Sequence, residues 1–546
     1  MIVDDLKKII KGDVKVDEKT LNEYSEDASI FKIQPEVVVF PKDVTDIKNL
    51  VKFASKKRKS KKISLTARAA GTDMSGAPLT ESIVVSFTKY FNKIKKVHKN
   101  YAVVQPGVYY RDFEKETLKK GVIYAPYPAS KELCAIGGMI ANNGAGEKTL
   151  SYGKAEDFVL ELKMVLSDGN EYTLKPLKKS ELEAKMAQNN FEGKLYKKLF
   201  ELVTKNKTIL QKAKPKVSKN SAGYYLWNLW DGEIFDITKV LVGSQGTLGI
   251  ITAAKLKLVP IKKHSRMVII FLKSHKSLRK LINIILGSNP ESLEAYDDKT
   301  LWLAIKFFRG IIKGLLKKYE TLPRILVEFI PDLMMMLTHG FPKLVIMAEL
   351  TGDNEEEIIR EGKSLVEKIT KEGFVARMTK NQEEAEKYWT IRRESFSLLR
   401  EKVKNKHTAP FVDDIIVNPE HLSEFLPRLN KLVGKYKKLT YTLAGHLGNG
   451  NFHIIPLMDF TDPEARASIP KLAEEVFDLV VEYKGSITAE HNDGLIRTPY
   501  LHKMYSPKVL KLFEETKKIF DPLNIFNPGK KVNGDLEYAL KHIKTE

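Results

Sequence analysis

Two short stretches near the C-terminal end carry side chains that could bind a metal ion and accept a proton. Residues 445–453 read Gly-His-Leu-Gly-Asn-Gly-Asn-Phe-His, and residues 488–492 read Thr-Ala-Glu-His-Asn. Imidazoles and a carboxylate are ligands of divalent metals, and a further imidazole could serve as a base. On a straight strand His446 and His453 would face opposite ways, but the intervening glycines let the backbone fold back. A histidine pair in a loop is also typical of a polar surface, so this pattern alone leaves both interpretations open.

Three runs rich in glycine and other small residues lie in the first half of the chain. They occupy residues 66–76, 128–146 and 241–252. Such runs expose consecutive backbone N–H groups, which can bind the pyrophosphate of a dinucleotide. A single run of this kind is also typical of a turn where backbones pack closely. The chain has neither a G-x-G-x-x-G run after a first strand nor a P-loop, which argues against nicotinamide and nucleotide-triphosphate sites.

Taken in this order and at this spacing, the runs and the two histidine motifs resemble the FAD-linked oxidases of the vanillyl-alcohol oxidase fold. The similar branch contains D-lactate dehydrogenase, the flavin subunit of glycolate oxidase and D-2-hydroxyglutarate dehydrogenase. The resemblance extends over residues 35–530. It also rests on Pro-Glu-Val-Val-Val-Phe-Pro at 35–41, Tyr152-Gly153 with Asp157, Gly223-Tyr224, and Phe-Asp-Pro-Leu-Asn-Ile-Phe-Asn-Pro-Gly-Lys at 520–530.

The resemblance implies an α+β protein with a PCMH-type FAD-binding domain of two α/β subdomains and an α+β cap domain. A C-terminal helical segment is expected to return to the FAD domain. Pro260 and the polar run after it suggest the boundary between the two domains. The expected organisation is a lead-in at 1–34, the FAD-binding domain at 35–260, the cap or substrate domain at 261–490, and the returning segment at 491–546.

Hydrophobic patterning predicts individual elements within these domains. The turn at residues 167–170 separates two strand-like runs and predicts a hairpin. Strands are predicted at 83–87, 159–166, 267–272 and 344–350, and helices at 44–57, 180–212, 275–287, 354–371, 464–483 and 506–519.

FAD binding is assigned residue by residue from the resemblance. No histidine lies in the first glycine run, where covalently flavinylated relatives carry one, so the FAD is expected to be non-covalent. The residues expected to contact it are Arg68, Ala69, Ala70, Gly71, Thr72, Ser75, Gly76, Pro128, Ser130, Gly137, Gly138, Asn142, Gly144, Tyr152, Gly153, Gly246, Ile251 and Asn527.

The activity implied by the resemblance is FAD-dependent oxidation of a D-2-hydroxy acid, D-lactate or glycolate, to the 2-oxo acid. His446, His453 and Glu490 are expected to bind a divalent metal (Zn, Mn or Fe) that polarises the substrate hydroxyl. His491 is the expected general base, because imidazole titrates near neutrality. Arg392 is expected to bind the substrate carboxylate. Without the resemblance, Arg392 would be assigned to an ion pair on a helix surface.

Several positions depart from the pattern of the family. No lysine that could grip a distal carboxylate is evident in residues 409–414, so a dicarboxylate is not the favoured substrate. The other departures are Asn449 in place of Asp, Asn492 in place of Gly, Gln245 in place of Glu, and Asp73 and Ala77 where many relatives have glycine.

Two other classes share parts of this pattern. A flavoenzyme of the alkyl-dihydroxyacetone-phosphate synthase type would share the first half but should lack the His446, His453 and Glu490 set. A non-catalytic subunit that keeps the fold and has lost the flavin would be colourless. An absorption spectrum combined with metal analysis separates these three possibilities.

Composition restricts the partners and the compartment. The 546 residues include 91 Lys+Arg and 69 Asp+Glu, which gives a formal net charge of +22. The basic residues are scattered and no nucleic-acid-reading module is evident, so nucleic acid is not an expected partner. The single cysteine, Cys134, excludes an internal disulfide and a self-contained iron–sulfur cluster. There is no secretory pattern and no uncharged apolar run of about 18 residues, so a cytoplasmic location is expected.

Residues 301–316 depart from the compact members of the family. Lys306, Arg309, Lys313 and Lys317 are spaced to share one face of a helix beside a strongly apolar sequence. The segment is either an amphipathic cap helix or a helix on the inner membrane surface next to a quinone pool. The expected electron acceptor is accordingly quinone or a separate electron-transfer subunit.

Overall fold

A computed structural model describes residues 2–58, 62–307, 329–402 and 406–545, with the backbone alone at 394–402 and at 455. The first sheet of the chain has four strands, in the order Asp13–Lys15, Val37–Phe40, Ile83–Ser86 and Leu65–Arg68. Its last three strands are parallel, and Asp13–Lys15 is antiparallel to its neighbour. The predicted lead-in therefore contributes a strand to this sheet.

Helix Val44–Lys57 covers the four-stranded sheet. It begins where the side chain of Asp43 caps the backbone N–H groups of Thr45 and Asp46. Ile47, Leu50, Val51 and Ala54 recur at helical spacing and are buried. The same buried cluster contains alternate residues of the strands, such as Val37 and Val39.

A second sheet completes the FAD-binding half of the chain. It is antiparallel, and its hairpin turn at 167–170 is the predicted one. Its strands, in order, are Ile94–Val97, Tyr101–Val104, Ile250–Lys257, Val159–Val165 and Glu171–Leu174. Two short antiparallel pairs lie outside it: Pro176–Lys178 with Ile234–Asp236, and Val122–Ile123 with Val259–Pro260.

The third sheet is antiparallel, has eight strands and forms the centre of the cap. Along strand His264–Leu272, Val268, Ile270 and Leu272 pack in one buried cluster and Met267, Ile269 and Phe271 pack in another, because alternate side chains point to opposite faces. The order is Val375–Met378, His264–Leu272, Leu344–Gly352, Ser292–Asp297, Thr440–His446, Asn451–Met458 and His407–Thr408, with Ile415–Ile416 also paired to Asn451–Met458.

Helices cover both faces of the cap sheet. Leu278–Leu286, Glu355–Lys371, Leu422–Val433 and Pro463–Glu482 contribute buried residues to the larger cluster. Asp298–Lys306, Ile330–His339 and Gln382–Lys402 contribute to the smaller cluster on the other face. Both clusters meet the FAD-binding half: Leu79 and Leu150 of that half pack with the larger cluster, and helix Gln382–Lys402 carries Arg393, which pairs with Glu147.

The end of the chain packs against the FAD-binding half. Helix Pro507–Phe520 buries Val509, Leu512 and Phe513 in the core of the second sheet. Ile525 and Phe526 join the core of the first sheet. This packing agrees with the expected return of the chain, while the domain bounds themselves stay predictions.

The remaining helices are mostly short. The predicted helix at 180–212 is three helices, because the chain turns near Asn190 and Asn206, which lie at the N-caps of the second and third. The α-helices not yet given are Ile2–Ile9, Glu18–Tyr24, Tyr110–Leu118, Ile136–Asn142, Thr149–Tyr152, Lys179–Met186, Phe191–Lys205, Lys207–Ala213, Thr238–Leu241, Gly494–Arg497 and Leu536–Lys541. Short 3-10 helices occur at Ala155–Asp157, Leu226–Asn228, His275–Ser277, Pro419–His421, Leu447–Asn449 and Thr498–Lys503.

The basic segment at 301–316 is only partly described. Helix Asp298–Lys306 includes Trp302 and Lys306, whereas Arg309, Lys313 and Lys317 lie outside the described residues. None of the described helices combines the length and the apolar character needed to cross a bilayer.

Candidate active site

One cavity of about 780 Å³ is lined by both halves of the molecule. All three glycine runs reach it from the FAD-binding half, and the cap contributes Arg392, His446 and His453. Glu490 and His491, from the segment that follows the cap helices, line the same cavity. The five residues predicted for metal binding and catalysis are therefore brought together beside the predicted dinucleotide site.

The glycine-rich wall of the cavity fits a dinucleotide. Within the described structure, the backbone N–H groups of residues 70–74 donate to no other protein group, so they remain available to an anion. A Cβ at Gly138 would lie 3.8 Å from its nearest neighbour, Ala69, and a Cβ at Gly246 would lie 3.6 Å from Ala67. A side chain at either position would fill the space that the cavity offers to a ligand, and at Gly246 the φ of 68° disfavours a side chain as well.

Most of the residues predicted to contact FAD line the cavity. Five others do not line it. Asn527 donates hydrogen bonds to the carbonyl groups of Ala77 and Gln245, and Tyr152 donates to Glu291 in the cap. The cavity-lining set is Arg68, Ala69, Ala70, Gly71, Thr72, Pro128, Ser130, Gly137, Gly138, Asn142, Gly144, Gly246 and Ile251. The set outside the lining is Ser75, Gly76, Tyr152, Gly153 and Asn527, and the assignment of both sets as FAD contacts stays a prediction.

A tight hairpin brings His446 and His453 to one face of the cap sheet. Strand Thr440–His446 turns through a short 3-10 helix and continues as Asn451–Met458. Gly450 has φ 76°, and a Cβ there would lie 1.9 Å from the carbonyl oxygen of Val417, so only glycine fits. The register pairs Ala444 with His453, which places His453 on the same face as His446, two residues farther along the first strand.

A single buried carboxylate holds the loop that carries Glu490 and His491. The Oδ2 atom of Asp414 accepts hydrogen bonds from the backbone N–H groups of Ala489 (2.9 Å), Glu490 (2.8 Å) and His491 (2.7 Å). It also accepts a hydrogen bond from the hydroxyl of Thr488 at 2.8 Å. Ligand atoms of Glu490, His446 and His453 consequently lie within 4.8 Å of one another, and two imidazoles with a carboxylate are a donor set that suits a divalent metal.

Asp413 orients two of the three imidazoles. Its Oδ1 lies 3.2 Å from Nδ1 of His453, and its Oδ2 lies 3.0 Å from Nδ1 of His491. Burial opposes the charged form of His491, but Asp414 and Asp413 outweigh it and raise the pKa of this imidazole to about 9. Burial also opposes ionisation of Asp413, and the two imidazoles nonetheless hold the pKa of its carboxyl well below the usual range.

His446 and Glu490 lie between further buried charges. The Nδ1 atom of His446 lies 2.7 Å from Oε1 of Glu294, and its Nε2 lies 3.2 Å from Oε1 of Glu490. Burial opposes protonation of His446, and Glu294 outweighs this effect and raises its pKa. Burial likewise opposes ionisation of Glu490, but the ammonium of Lys219 and the ring of His446 lower the pKa of this carboxyl well below its ordinary value. Lys219 itself has no exposed surface.

Two consecutive arginines connect the site to both halves of the molecule. Arg392 forms an ion pair with Glu294 in the cap. Arg393 contacts both carboxylate oxygens of Glu147, which belongs to the FAD-binding half, at 3.0 Å each. Glu147 also accepts a hydrogen bond from Tyr127 at 3.1 Å. The helix that carries both arginines is thereby fixed against the second glycine run.

Four residues of the site were not assigned from the sequence. Glu294, Lys219, Asp413 and Asp414 each touch a predicted metal or catalytic residue. Asp413 and Asp414 stand as a pair of acids before the apolar run Ile415–Val417, and that pairing was the available signal. Glu294 and Lys219 lie far from the histidine motifs in sequence, and nothing local distinguishes them from surface charges.

The sequence matches two family descriptions. Residues 35–175 match a FAD binding domain, and residues 262–531 match the C-terminal domain of FAD linked oxidases. Together the two matches contain both the glycine-rich wall of residues 66–76 and 128–146 and all five predicted metal and catalytic residues.

Curated relatives are identical to this chain at about one residue in four. The D-2-hydroxyglutarate dehydrogenase of Pseudomonas putida is 27% identical over 527 residues, which cover 95% of this chain and 50% of that protein. The glycolate oxidase subunit GlcD of Bacillus subtilis is 26% identical over 518 residues, covering 93% of this chain and 91% of that protein. The chain thus spans about half the length of the first of these relatives.

Solved structures confirm the expected fold. The 4-ethylphenol oxidase from Gulosibacter chungangensis, solved with isoeugenol, superimposes with a TM-score of 0.67 at 16% identity, over 98% of this chain and 97% of that one. At this identity the likeness concerns the fold alone. With its FAD binding domain, its cap domain and this fold, the chain belongs to the FAD-linked oxidases of the vanillyl-alcohol oxidase fold.

Proposed function

We propose that the protein oxidises a small D-2-hydroxy monocarboxylate, D-lactate or glycolate, to the corresponding 2-oxo acid. The observation that carries the proposal is the single cavity in which the glycine-rich wall meets His446, His453, Glu490, His491 and Arg392. Bound without a covalent link, FAD would supply the two-electron acceptor that this oxidation needs. The alternative flavoenzyme, of the alkyl-dihydroxyacetone-phosphate synthase type, is expected to lack His446, His453 and Glu490. Their presence in the cavity therefore supports the oxidation of a hydroxy acid.

The metal-binding role falls to His446, His453 and Glu490, whose ligand atoms lie close enough to share one ion. A divalent ion held there, Zn, Mn or Fe, supplies Lewis-acid polarisation of a substrate hydroxyl. Asp413 accepts a hydrogen bond from Nδ1 of His453, and Glu294 accepts one from Nδ1 of His446. The Nε2 atoms of both rings are therefore left to bind the ion.

In its neutral form, His491 is suited to take the proton of the substrate hydroxyl. Its Nδ1 faces Asp413, so Nε2 is the nitrogen that can receive the proton. The nearby carboxylates of Asp413 and Asp414 stabilise the imidazolium that results.

The charges of the cavity favour a substrate with one carboxylate. Among the described residues that line it, lysine is absent and arginine occurs only at 68, 392 and 393. Arg68 donates to backbone carbonyls beside the first glycine run, and the charge of Arg393 is met by Glu147. Arg392 pairs with Glu294 through one end of its guanidinium and also lines the cavity, so it is the arginine placed to bind one substrate carboxylate.

We also propose that the electrons leave at the inner surface of the cell membrane, where quinone is within reach. Helices Asp298–Lys306 and Ile330–His339 pack on the same buried cluster and both expose large apolar side chains. The exposed side chains on and beside these helices are Trp302, Ile305, Ile330, Leu333, Met334, Leu337 and Phe341. Lys306 lies 4.7 Å from the ring of Trp302, and the chain as a whole carries +22, which complements an anionic bilayer.

The purified protein tests the proposed reaction directly. We expect a yellow protein with a flavin spectrum, about one divalent metal per chain, and dye reduction with D-lactate or glycolate. D-2-Hydroxyglutarate should be oxidised with a kcat/KM at least about 10-fold lower, because the described cavity lining has no lysine and its other two arginines are already held by protein groups. A colourless protein, or one that prefers D-2-hydroxyglutarate, contradicts the proposal.

A further inference from the structure

Glu294 is a buried carboxylate that touches two parts of the site at once. It lies on the central cap strand Ser292–Asp297 and is 1% exposed. Its Oε1 is 2.7 Å from Nδ1 of His446, and its Oε2 forms the ion pair with Arg392. One side chain therefore joins a proposed metal ligand to the arginine proposed for the substrate carboxylate.

The contact with His446 determines which ring nitrogen faces the cavity. A carboxylate beside Nδ1 favours a proton on that atom, so Nε2 is left with a free lone pair. Nε2 is the atom that lies 3.2 Å from Glu490. A carboxylate in this position also fixes the rotation of the imidazole, which otherwise has a broad torsional minimum.

The contact with Arg392 determines where the guanidinium lies. The Arg392 side chain is only 7% exposed, and a buried cation without a counter-charge would be strongly destabilised. Glu294 supplies that counter-charge at one end of the guanidinium, while the Nε atom stays unpaired within the described structure. The guanidinium lines the cavity and is consequently held at a fixed place relative to His446.

We propose that Glu294 is a positioning residue that sets the distance between the metal-binding imidazole and the arginine. The proposal rests on the proposed function, because a 2-hydroxy acid carries its hydroxyl and its carboxylate on adjacent carbons. A group that fixes both partners selects this spacing against that of a 3-hydroxy acid. Glu294 does not touch the substrate and acts only through His446 and Arg392.

The test compares Glu294→Gln with wild type in the FAD-loaded protein. Gln keeps the shape of the side chain but carries no charge. Its amide can still accept a hydrogen bond from His446, but it cannot neutralise the guanidinium of Arg392. We expect the affinity for Mn²⁺, measured by chelator competition, to fall at least 10-fold. The affinity for pyruvate, measured by perturbation of the flavin absorption without turnover, should also fall at least 10-fold, with FAD content unchanged.

Glu349→Gln is the matched control. Glu349 lies on the neighbouring strand Leu344–Gly352, where it accepts from Ser265 at 2.8 Å and Ser292 at 3.2 Å and contacts neither His446 nor Arg392. It should leave both affinities within about threefold, because it removes a sheet carboxylate of the same kind without touching the site.

Each outcome decides for or against the role of Glu294. Loss of only one affinity, or equal losses in Glu294→Gln and Glu349→Gln, overturns it. If Glu294→Gln loses its flavin, the same measurements on Glu294→Asp decide, since Asp keeps the charge and withdraws it by one methylene. If the wild type binds no metal and oxidises no 2-hydroxy acid, the proposed function is wrong. If the wild type is active but Glu294→Gln keeps its affinities for Mn²⁺ and pyruvate, only the role of Glu294 is wrong.

Discussion

The carboxylate of Asp413 lies 3.0 Å from Nδ1 of His491 and fixes which nitrogen of that imidazole faces the cavity. The same carboxylate contacts His453, whose ring stacks on that of His491 with centroids 5.2 Å apart. A proposed metal ligand and the proposed base are thus oriented by one acid. Arg497 stabilises this arrangement by donating to the backbone carbonyl of Asp413 at 2.7 Å.

Asp413→Asn should therefore damage proton transfer more than binding. Asn carries no charge, so the imidazolium of His491 loses the stabilisation that the carboxylate provides, and the amide cannot bond to His453 and place a second acceptor oxygen beside His491. We expect kcat to fall by about 100-fold or more at saturating metal, with FAD content unchanged. Steady-state kinetics with a dye acceptor measures this. A loss confined to KM would show that Asp413 serves ligand binding instead.

Removal of one metal ligand should abolish the oxidation and leave the flavin in place. In His446→Ala or Glu490→Ala, the remaining donors cannot complete a coordination shell, so metal affinity should fall by at least about 100-fold. Metal analysis and the flavin spectrum of the same sample provide the measurements. Asn449→Ala is a useful control, because Asn449 lies in the turn between the two histidines and its amide contacts Ser218 instead. Retention of activity by either ligand variant after chelation contradicts a metal role.

The FAD should separate from the polypeptide on acid precipitation. The first glycine run, residues 66–76, contains no histidine, and the cavity wall offers backbone donors in place of a covalent link. The supernatant should contain all of the flavin, and the pellet should be colourless. Flavin fluorescence that follows the polypeptide on a denaturing gel would rule out a non-covalent cofactor.

Stability should fall as the pH rises through the range in which Asp27 ionises. Burial, with the nearby charge of Asp73, raises the pKa of Asp27 to about 7 from an ordinary value of 3.8. The folded state therefore binds more protons than the unfolded chain between these two values, so the contribution is present at low pH and is lost as pH rises through 7. Asp27→Asn should match wild type near pH 4 and be more stable above pH 7, by on the order of 1–2 kcal/mol.

Urea unfolding at several pH values, at a fixed FAD concentration, measures this difference. Asp17→Asn serves as the comparison, since Asp17 is an exposed helix cap on the same N-terminal segment. A gap between Asp27→Asn and wild type that does not change from pH 4 to pH 8 would show that Asp27 ionises normally.

Membrane binding should depend on the exposed apolar face of the cap helices. Changing Trp302, Leu333 and Leu337 to Ser together should abolish sedimentation with anionic liposomes at low salt. Turnover with a dye should not change, because none of the three lines the cavity. Changing Leu118, an exposed leucine of the FAD-binding half that does not line the cavity, gives the control for lost surface hydrophobicity. If wild type fails to sediment, a soluble acceptor or a separate subunit takes the place of quinone.

Hydrophobic periodicity was sufficient to predict the principal elements. Helix Val44–Lys57 and strand Leu344–Gly352 agree closely with the predicted ranges, because each has one clear apolar period and clear end signals. The predicted helix at 180–212 was wrong as a single element. Asn190 and Asn206 interrupt it, and one apolar period can continue across such breaks.

The candidate site was predictable only where its residues form local motifs. His446, His453 and Glu490 were accessible because glycines and histidines stand close together in the sequence. Glu294 and Lys219 were not, because the contacts that bring them to the site span 152 and 271 residues. One departure from the family pattern, Gln245, also has a physical explanation. Its side-chain amide donates hydrogen bonds to Ser75 and Asn142, so it connects all three glycine runs.

The contact between Glu147 and Arg393 has a consequence for how such proteins vary. Glu147 belongs to the FAD-binding half and Arg393 to the cap. If only one of them is replaced, the other is left as a largely buried charge without a counter-charge at the domain junction. Lys148 and Glu291 form a second pair across the same junction. Homologues should therefore exchange these residues in matched pairs. A hybrid that takes its two halves from different relatives should assemble a working cavity only when both pairs come from compatible parents.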